Sequence, residues 1–176
     1  MYGELQARNT DVLSVAVDMQ GPEKPRPFHE KANAAFTTVV DSENLLGGLL
    51  GFKAVPNGVL LDEEGRIVFQ RFGGFDVRKP EYAAVVRSFA DDGLPTSEEL
   101  ANEGVQVQSI DHFRRGLERL ESGDAAGARE IWREGIALEP DNWILRKQLW
   151  ALDHPDKFYD GPVDFSWQKE QIAKGE

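Results

Sequence analysis

Short apolar segments alternate with amphipathic ones through the first half of the chain, from residue 11 to residue 89. The β-branched run VLSVAV (residues 12–17) is typical of a buried strand, and TTVVD (residues 37–41) predicts a second one. Between residues 59 and 72, two apolar runs flank the acidic turn DEEGR, in which Gly65 can adopt the positive φ that closes a β-hairpin. This alternation is the pattern of an α/β layer fold.

Helical segments separate the predicted strands. PFHEKANAAF can form a helix after a Pro-rich stretch, and DSENLLGGLLGF fits a short helix that is capped at Asp41 or Ser42 and stops at Gly51. In KPEYAAVVRSFADDG, Pro80 occupies the first helical turn and Gly93 ends the helix. Its apolar residues are Tyr82, Val85, Val86 and Phe89, at positions i, i+3, i+4 and i+7. This spacing places all four on one face of the helix.

The second half of the chain has a different sequence pattern, because it contains no segment that predicts a strand. Residues 94–106 are polar and lack a sustained apolar period, so we interpret them as a linker. The predicted helices beyond it cover residues 109–121, 124–138 and 141–152, with Asp124 and Asp141 as N-caps. The predicted organisation is therefore an α/β domain (residues 1–93), a linker (94–106) and an all-helical region (107–176).

Charge and hydropathy restrict the class of partner. The chain of 176 residues has 31 acidic and 20 basic side chains, a net charge of -11, which works against binding to a phosphate backbone. We therefore expect no nucleic-acid partner. No apolar run approaches the ~20 residues that a membrane span needs, and the N-terminus lacks the basic and apolar parts of a signal peptide. These features predict no membrane segment and a cytoplasmic location for the chain as written.

The chain contains no cysteine, which excludes disulfides, thiolate nucleophiles and cysteine-ligated metals. The three histidines lie far apart, and the acidic turn at residues 62–64 has too few ligands for a calcium loop. No Ser-His-Asp arrangement or carboxylate pair is recognisable from spacing. The sequence therefore predicts no catalytic residue, no metal site and no cofactor.

The order of these elements resembles the thioredoxin-like fold, specifically the TlpA/ResA-type thiol-disulfide oxidoreductases and the related AhpC/TSA (redoxin) proteins. The segments that carry the resemblance are DVLSVAVD, FTTVVDSENLLGGLLGFKAVPNGVLLDEEGRIVFQRFGG and the helix near residues 81–89. The most specific piece is GFKAVPNGVLLDEEGRIV. The resemblance implies a three-layer α/β domain over about the first 90 residues.

Pro56 matches the family's cis-proline, and the resemblance implies that the backbone at Val55 is free to pair with an extended substrate. The family's Cys-x-x-Cys motif is absent. In the family it precedes a helix whose end resembles MYGELQARNT, so either the protein has lost the motif or the motif lies upstream of Met1. On this interpretation the domain is N-terminally truncated and lacks a central strand. Its incompletely paired sheet could then take a strand from a second copy or another partner.

The helical region resembles a tetratricopeptide (TPR) repeat along SIDHFRRGLERLESGDAAGAREIWREGIALEPDN. The residues at the expected spacing are Gly116, Gly123, Ala128, Trp132, Gly135 and Pro140. A single repeat cannot bury its own face, so we expect it to dock on something. We expect the tail aromatics Phe158, Tyr159, Phe165 and Trp167 to cover the apolar surface that remains.

These resemblances lead to two hypotheses about function. In the first, the chain is the downstream part of a thiol-disulfide oxidoreductase or peroxiredoxin-like protein, inactive by itself because it has no cysteine. In the second, it is a non-catalytic thioredoxin-like module that binds a protein or an extended peptide and uses its TPR-like repeat for interaction. Both predict no dithiol activity for this chain.

Overall fold

The computed structural model describes residues 1–91, 93 and 100–175. The helices are α1 Tyr2–Gln6, α2 Arg26–Lys31, α3 Leu45–Leu50, α4 Pro80–Ala90, α5 Ile110–Glu121, α6 Ala125–Leu138, α7 Trp143–Asp153 and α8 Phe165–Lys174. The strands are β1 Leu13–Ala16, β2 Thr37–Val40, β3 Gly58–Leu61 and β4 Ile67–Arg71. A 3-10 turn, Pro155–Lys157, follows α7. The mixture of helices and strands agrees with the predicted α/β class.

The four described strands form two separate pairs. β1 and β2 are parallel, with Leu13 opposite Thr37. β3 and β4 form the predicted hairpin, an antiparallel pair with a register shift at Leu60/Leu61, and Gly65 in its turn has a φ of 78°. No ladder joins β1 to β3 in the described part of the chain, so each of these strands has a neighbour on one side only.

Residues from both strand pairs nevertheless pack against the same two hydrophobic clusters. Val12, just before β1, and Leu60 of β3 pack against the cluster of Leu5, Val86 and Ala90, which comes from α1 and α4. Val17, just after β1, and Val59 of β3 pack against the larger cluster. Because Val59 and Leu60 are consecutive in a strand, they point to opposite faces. The two strand pairs therefore lie between the same two apolar layers.

The helical region has the best-buried side chains of the molecule. Trp132 of α6 is fully buried, and its indole Nε1 donates a hydrogen bond to the carbonyl oxygen of Phe113, 3.2 Å away. Gly116 of α5 allows this approach, because a Cβ there would lie 2.0 Å from that indole nitrogen. Leu145 of α7 is also fully buried. The predicted packing of the first two helices, with the third covering them, is confirmed.

The helices do not form a core of their own. The larger cluster also contains Met19, Phe52 and Phe72, which come from the α/β region. At the same junction the N–H of Ile144 donates to the carbonyl oxygen of Lys53, at 3.0 Å. The helices therefore pack on the α/β region, in agreement with the prediction that this helical segment docks on something.

The predicted linker contacts the α/β region at two points, and residues 94–99 lie outside the described residues. Asn102 lies along β4, where its N–H donates to Gln70 O at 3.0 Å and its amide bonds both the N–H and the carbonyl of Phe72. The N–H of Val105 donates to Gly51 O at 2.8 Å. This segment thus joins the outer edge of the hairpin to the end of α3.

One predicted helix cap is right and two are shifted. Asp124 is the N-cap of α6 and accepts a hydrogen bond from the N–H of Gly127. At α3, Asp41 accepts from the first two N–H groups of the helix, but the N-cap position is Asn44. At α7 the cap is Asn142, whose side chain accepts from the N–H of Leu145. The predicted cap, Asp141, instead lies 3.3 Å from Lys53 Nζ, because the α/β region offers it a cation.

Candidate functional site

A cleft of about 350 Å³ opens beyond the carboxyl end of β1, between α2, α7 and the C-terminal segment. Its mouth carries Phe28, Val55 and Phe165, large apolar side chains that are 41%, 49% and 64% exposed. Exposed apolar residues are ordinary when they are scattered, but their convergence on one cleft indicates a binding surface. Phe165 departs from the expectation that the tail aromatics cover apolar surface, because it stands at this mouth instead.

Helix α7 forms one wall of the cleft and is attached to the end of β1 through Gln148. The side-chain oxygen of Gln148 accepts from the N–H of Met19 at 2.8 Å, and its amide nitrogen donates to Val17 O at 3.1 Å. A side-chain amide offers both a donor and an acceptor, so one residue satisfies backbone groups that the short strand leaves unpaired. This contact fixes the distance between the wall and the sheet.

Asp18 lies at the base of the cleft and is held by the tail. Tyr159 Oη donates to Asp18 Oδ2 at 2.9 Å, and the N–H of Gln20 donates to Oδ1 at 2.9 Å. Burial raises the pKa of Asp18, although both hydrogen bonds oppose the shift. Burial and the nearby Asp18 carboxylate also raise the pKa of Tyr159. The tyrosine therefore stays a donor at neutral pH and ties the tail to the end of β1.

Two lysines face the same cleft. Lys24 Nζ lies over the ring of Tyr159, 4.7 Å from its centroid. Lys147 of α7 is half-buried, and burial lowers the pKa of its ammonium group. Among the described residues, neither ammonium lies within 4.0 Å of a carboxylate. The cleft thus combines apolar walls with positive charge that no acid neutralises by direct contact.

Val55 and Pro56, the site residues predicted from the sequence, lie in the loop before β3. Their peptide bond is cis. Val55 lines the cleft, and in the described part of the chain neither its N–H nor its carbonyl oxygen forms a hydrogen bond. Pro56 is outside the cleft wall, and its carbonyl oxygen accepts from the N–H of Phe75 at 3.1 Å. The structure therefore places Val55, but not Pro56, at the cleft.

A buried network behind this loop fixes Lys53, two residues before Val55. Glu139 accepts hydrogen bonds from the N–H of Gln108 and from both N–H and Oγ of Ser109, and it lies 2.9 Å from Lys53 Nζ. Burial alone would raise the pKa of Glu139, but these hydrogen bonds lower it to about 2. Its position at the end of α6 gave no sequence signal, because its partners are at least 30 residues away.

The other candidates from the sequence have structural roles. Asp62 accepts from the N–H groups of Glu64 and Arg66, and its carboxylate pairs with the Arg66 guanidinium at 2.7 Å. His29 Nδ1 lies 2.9 Å from Thr38 Oγ1. Among the described residues, no group of three or more acidic or histidine side chains could hold a metal ion. Within the same residues, no helix combines the length and apolarity that a membrane span requires.

Sequence reasoning missed most of the cleft. Phe28, Lys147 and Phe165 come from three segments that share no motif, and only their assembly makes them a site. Comparisons with protein-family models, with curated proteins and with solved structures give no significant match. The resemblances to redoxins and to the TPR repeat therefore stay predictions. The chemistry of the site must be argued from its own geometry.

Proposed function

We propose that this chain is a thioredoxin-like module without dithiol chemistry and that it binds an extended segment of another protein in the cleft beside Val55. The observation that carries the proposal is the backbone of Val55: its N–H and carbonyl oxygen have no hydrogen-bond partner among the described residues, and the residue lines the cleft. Extended peptides bind through main-chain hydrogen bonds to such groups, and neighbouring pockets select their side chains.

The size and lining of the cleft suit this class of ligand. About 350 Å³ accommodates a few side chains, whereas an amphipathic helix would need a long groove. Phe28 and Phe165 at the mouth offer aromatic contact area to apolar side chains of the segment. The helices after the TPR-like repeat also take part in binding, because α7 and the tail supply one side of the cleft.

The thioredoxin-like part of the proposal draws support from the arrangement of the strands. β1 and β3 lie between the same two apolar clusters without pairing to each other. A sheet with one strand missing between β1 and β3 would have these properties. The same observation favours the second candidate, that the chain belongs to a redoxin-family protein whose cysteines lie upstream of Met1, and association of two copies through these edges is a further prediction.

The binding proposal can be tested by selection and mutation. The full chain is used to select peptides from a random dodecapeptide phage library, and the enriched peptides are labelled for fluorescence polarisation. Val55→Pro removes the N–H of this residue, whereas the matched control Val55→Ala shortens the side chain and keeps the N–H. We expect binding to be lost in Val55→Pro and largely kept in Val55→Ala, with thermal melting checking that both variants are folded.

Failure to enrich any peptide above background would contradict the proposal, as would equal affinities of wild type and Val55→Pro. The redoxin candidate has a separate test, which is to read the codons upstream of Met1 in frame. A Trp-Cys-x-x-Cys run there would support it, and an in-frame stop codon close to Met1 would eliminate it.

A further inference from the structure

The cleft contains two lysines, although the chain as a whole is negatively charged. The protein has a net charge of -11, and many of its cations pair with a carboxylate at close range, as Lys53 does with Glu139 at 2.9 Å and Arg78 with Asp76 at 2.7 Å. In the cleft, by contrast, Lys24 and Lys147 have no carboxylate within ion-pair distance among the described residues. Among the described residues, other cations such as Arg71 and Lys79 also lack an ion pair, and what sets Lys24 and Lys147 apart is that both line the cleft.

Lys147 is the more informative of the two lysines. Its side chain leaves α7 one residue before Gln148, which bonds the end of β1, and it is half-buried where it lines the cleft. A partly desolvated ammonium without an acid partner is unfavourable, and an anion in the cleft would remove that cost. Lysine is suited to a point-like acceptor such as a single carboxylate.

The acid already in the cleft does not fill this role. Asp18 accepts from Tyr159 Oη and from the N–H of Gln20, so both of its oxygens have partners. The Lys24 ammonium lies over the ring of the same tyrosine, and Lys24 precedes helix α2 by two residues. The Lys24 ammonium is close enough to the Asp18 carboxylate to oppose the rise of its pKa, so Lys147 is the cation more available to a ligand.

We propose that the extended segment bound in the cleft carries an Asp or Glu side chain next to an apolar residue, with the carboxylate received by Lys147 and assisted by Lys24. This inference rests on the proposed function and specifies its ligand class. The apolar neighbour of the acid contacts the Phe28 and Phe165 side chains at the mouth. Charge complementarity of this kind selects the partner and speeds its association.

The peptides selected on the wild-type chain provide the test. We expect the enriched set to be richer in Asp and Glu than the unselected library. In the tightest peptide, changing the acidic residue to its amide should weaken binding to wild type by about tenfold, the range for a close charge pair. With Lys147→Met the same change should matter less than about twofold. The control Lys169→Met alters an exposed lysine of α8 outside the cleft and should behave as wild type.

The outcomes separate the two proposals. Enriched peptides that lack acidic residues, or an amide change that weakens binding to wild type and Lys147→Met equally, would overturn this inference and leave peptide binding standing. Failure to enrich any peptide would overturn both proposals together.

Discussion

The helical region and the α/β region of this protein differ in how far each is completed by its own residues. In the helical region, Phe113, Trp132 and Leu145 are almost fully excluded from solvent, and side chains cap the starts of α6 and α7. In the α/β region the strands have four or five residues and are mostly half-buried, and among the described residues β1 and β3 each have a paired strand on one side only. The centre of the helical region is thus closed to solvent, whereas the strand pairs are partly open.

The difference shows that the two regions depend on each other. Met19, Phe52 and Phe72 of the α/β region are buried only within a cluster that the helices complete. A small group of helices needs a surface to cover its apolar face, and these short strand pairs need a layer to bury their apolar side. Their junction is also where the cleft forms, because the end of β1 and the start of α7 meet there.

Trp132→Ala tests the packing of the helical region and should lower stability the most. It removes a fully buried indole together with its hydrogen bond to Phe113 O, so the free energy of unfolding should fall by about 3–5 kcal/mol. Chemical denaturation monitored by circular dichroism measures the loss. Trp143→Ala is the matched control, since Trp143 is half-buried at the cleft, and it should cost less than about 2 kcal/mol. Wild-type stability of Trp132→Ala, with rapid proteolytic removal of the helices from an intact α/β region, would show that the regions are independent.

Glu139→Gln tests the polar contact between the regions and should come next. Loss of a buried carboxylate that serves Ser109 and Lys53 should lower the free energy of unfolding by about 2–4 kcal/mol at pH 7. The folded-state pKa of about 2 lies below the ordinary 4.5, so this stabilisation is present above pH 4.5 and is lost as pH falls toward 2. The gap between variant and wild type, measured by denaturation at several pH values, should therefore close in that window.

The control for Glu139→Gln is Asp141→Asn, because Asp141 contacts the same lysine from an exposed position. It should change stability by less than about 1 kcal/mol. A difference between Glu139→Gln and wild type that is the same at pH 7 and pH 2.5 would contradict the assigned role of the carboxylate.

Gln148→Leu tests the junction beside the cleft and should have a smaller effect. The change leaves the buried N–H of Met19 without its acceptor, which should cost about 1–3 kcal/mol. Hydrogen exchange should show faster opening around residues 17–19, while the N–H groups within α6 keep their protection. Gln106→Leu, at an exposed position, serves as the control and should change stability by less than about 0.5 kcal/mol. Equal protection of residues 17–19 in Gln148→Leu and wild type would show that the hydrogen bond from Met19 to Gln148 does not stabilise the end of β1.

The last prediction is that the chain has no activity in an insulin-reduction assay. Without cysteine it has no thiolate to exchange, so turnover should equal that of buffer while a thioredoxin control is active. Measurable turnover would contradict both functional hypotheses.

Local features of the fold could be predicted because their causes are local. Gly65 in the hairpin turn, Pro80 at the start of α4 and Asp124 at the start of α6 each act on backbone within a few residues. The choice between Asp141 and Asn142 as the cap of α7 could not be predicted in this way, because Lys53, a residue 88 positions away from Asp141, takes part in deciding it.

By itself, the sequence determined which chemistry is excluded and where most of the helices and strands lie, although not helix α8, because an absent cysteine and a short-range propensity need no folded context. Tertiary structure alone decided that Asn102 borders β4, that Gln148 joins α7 to the end of β1 across 129 residues, and that Tyr159 reaches Asp18 across 141. Such contacts depend on which distant backbone groups remain unpaired after the strands form, and no local pattern encodes that. The cleft is a product of those contacts.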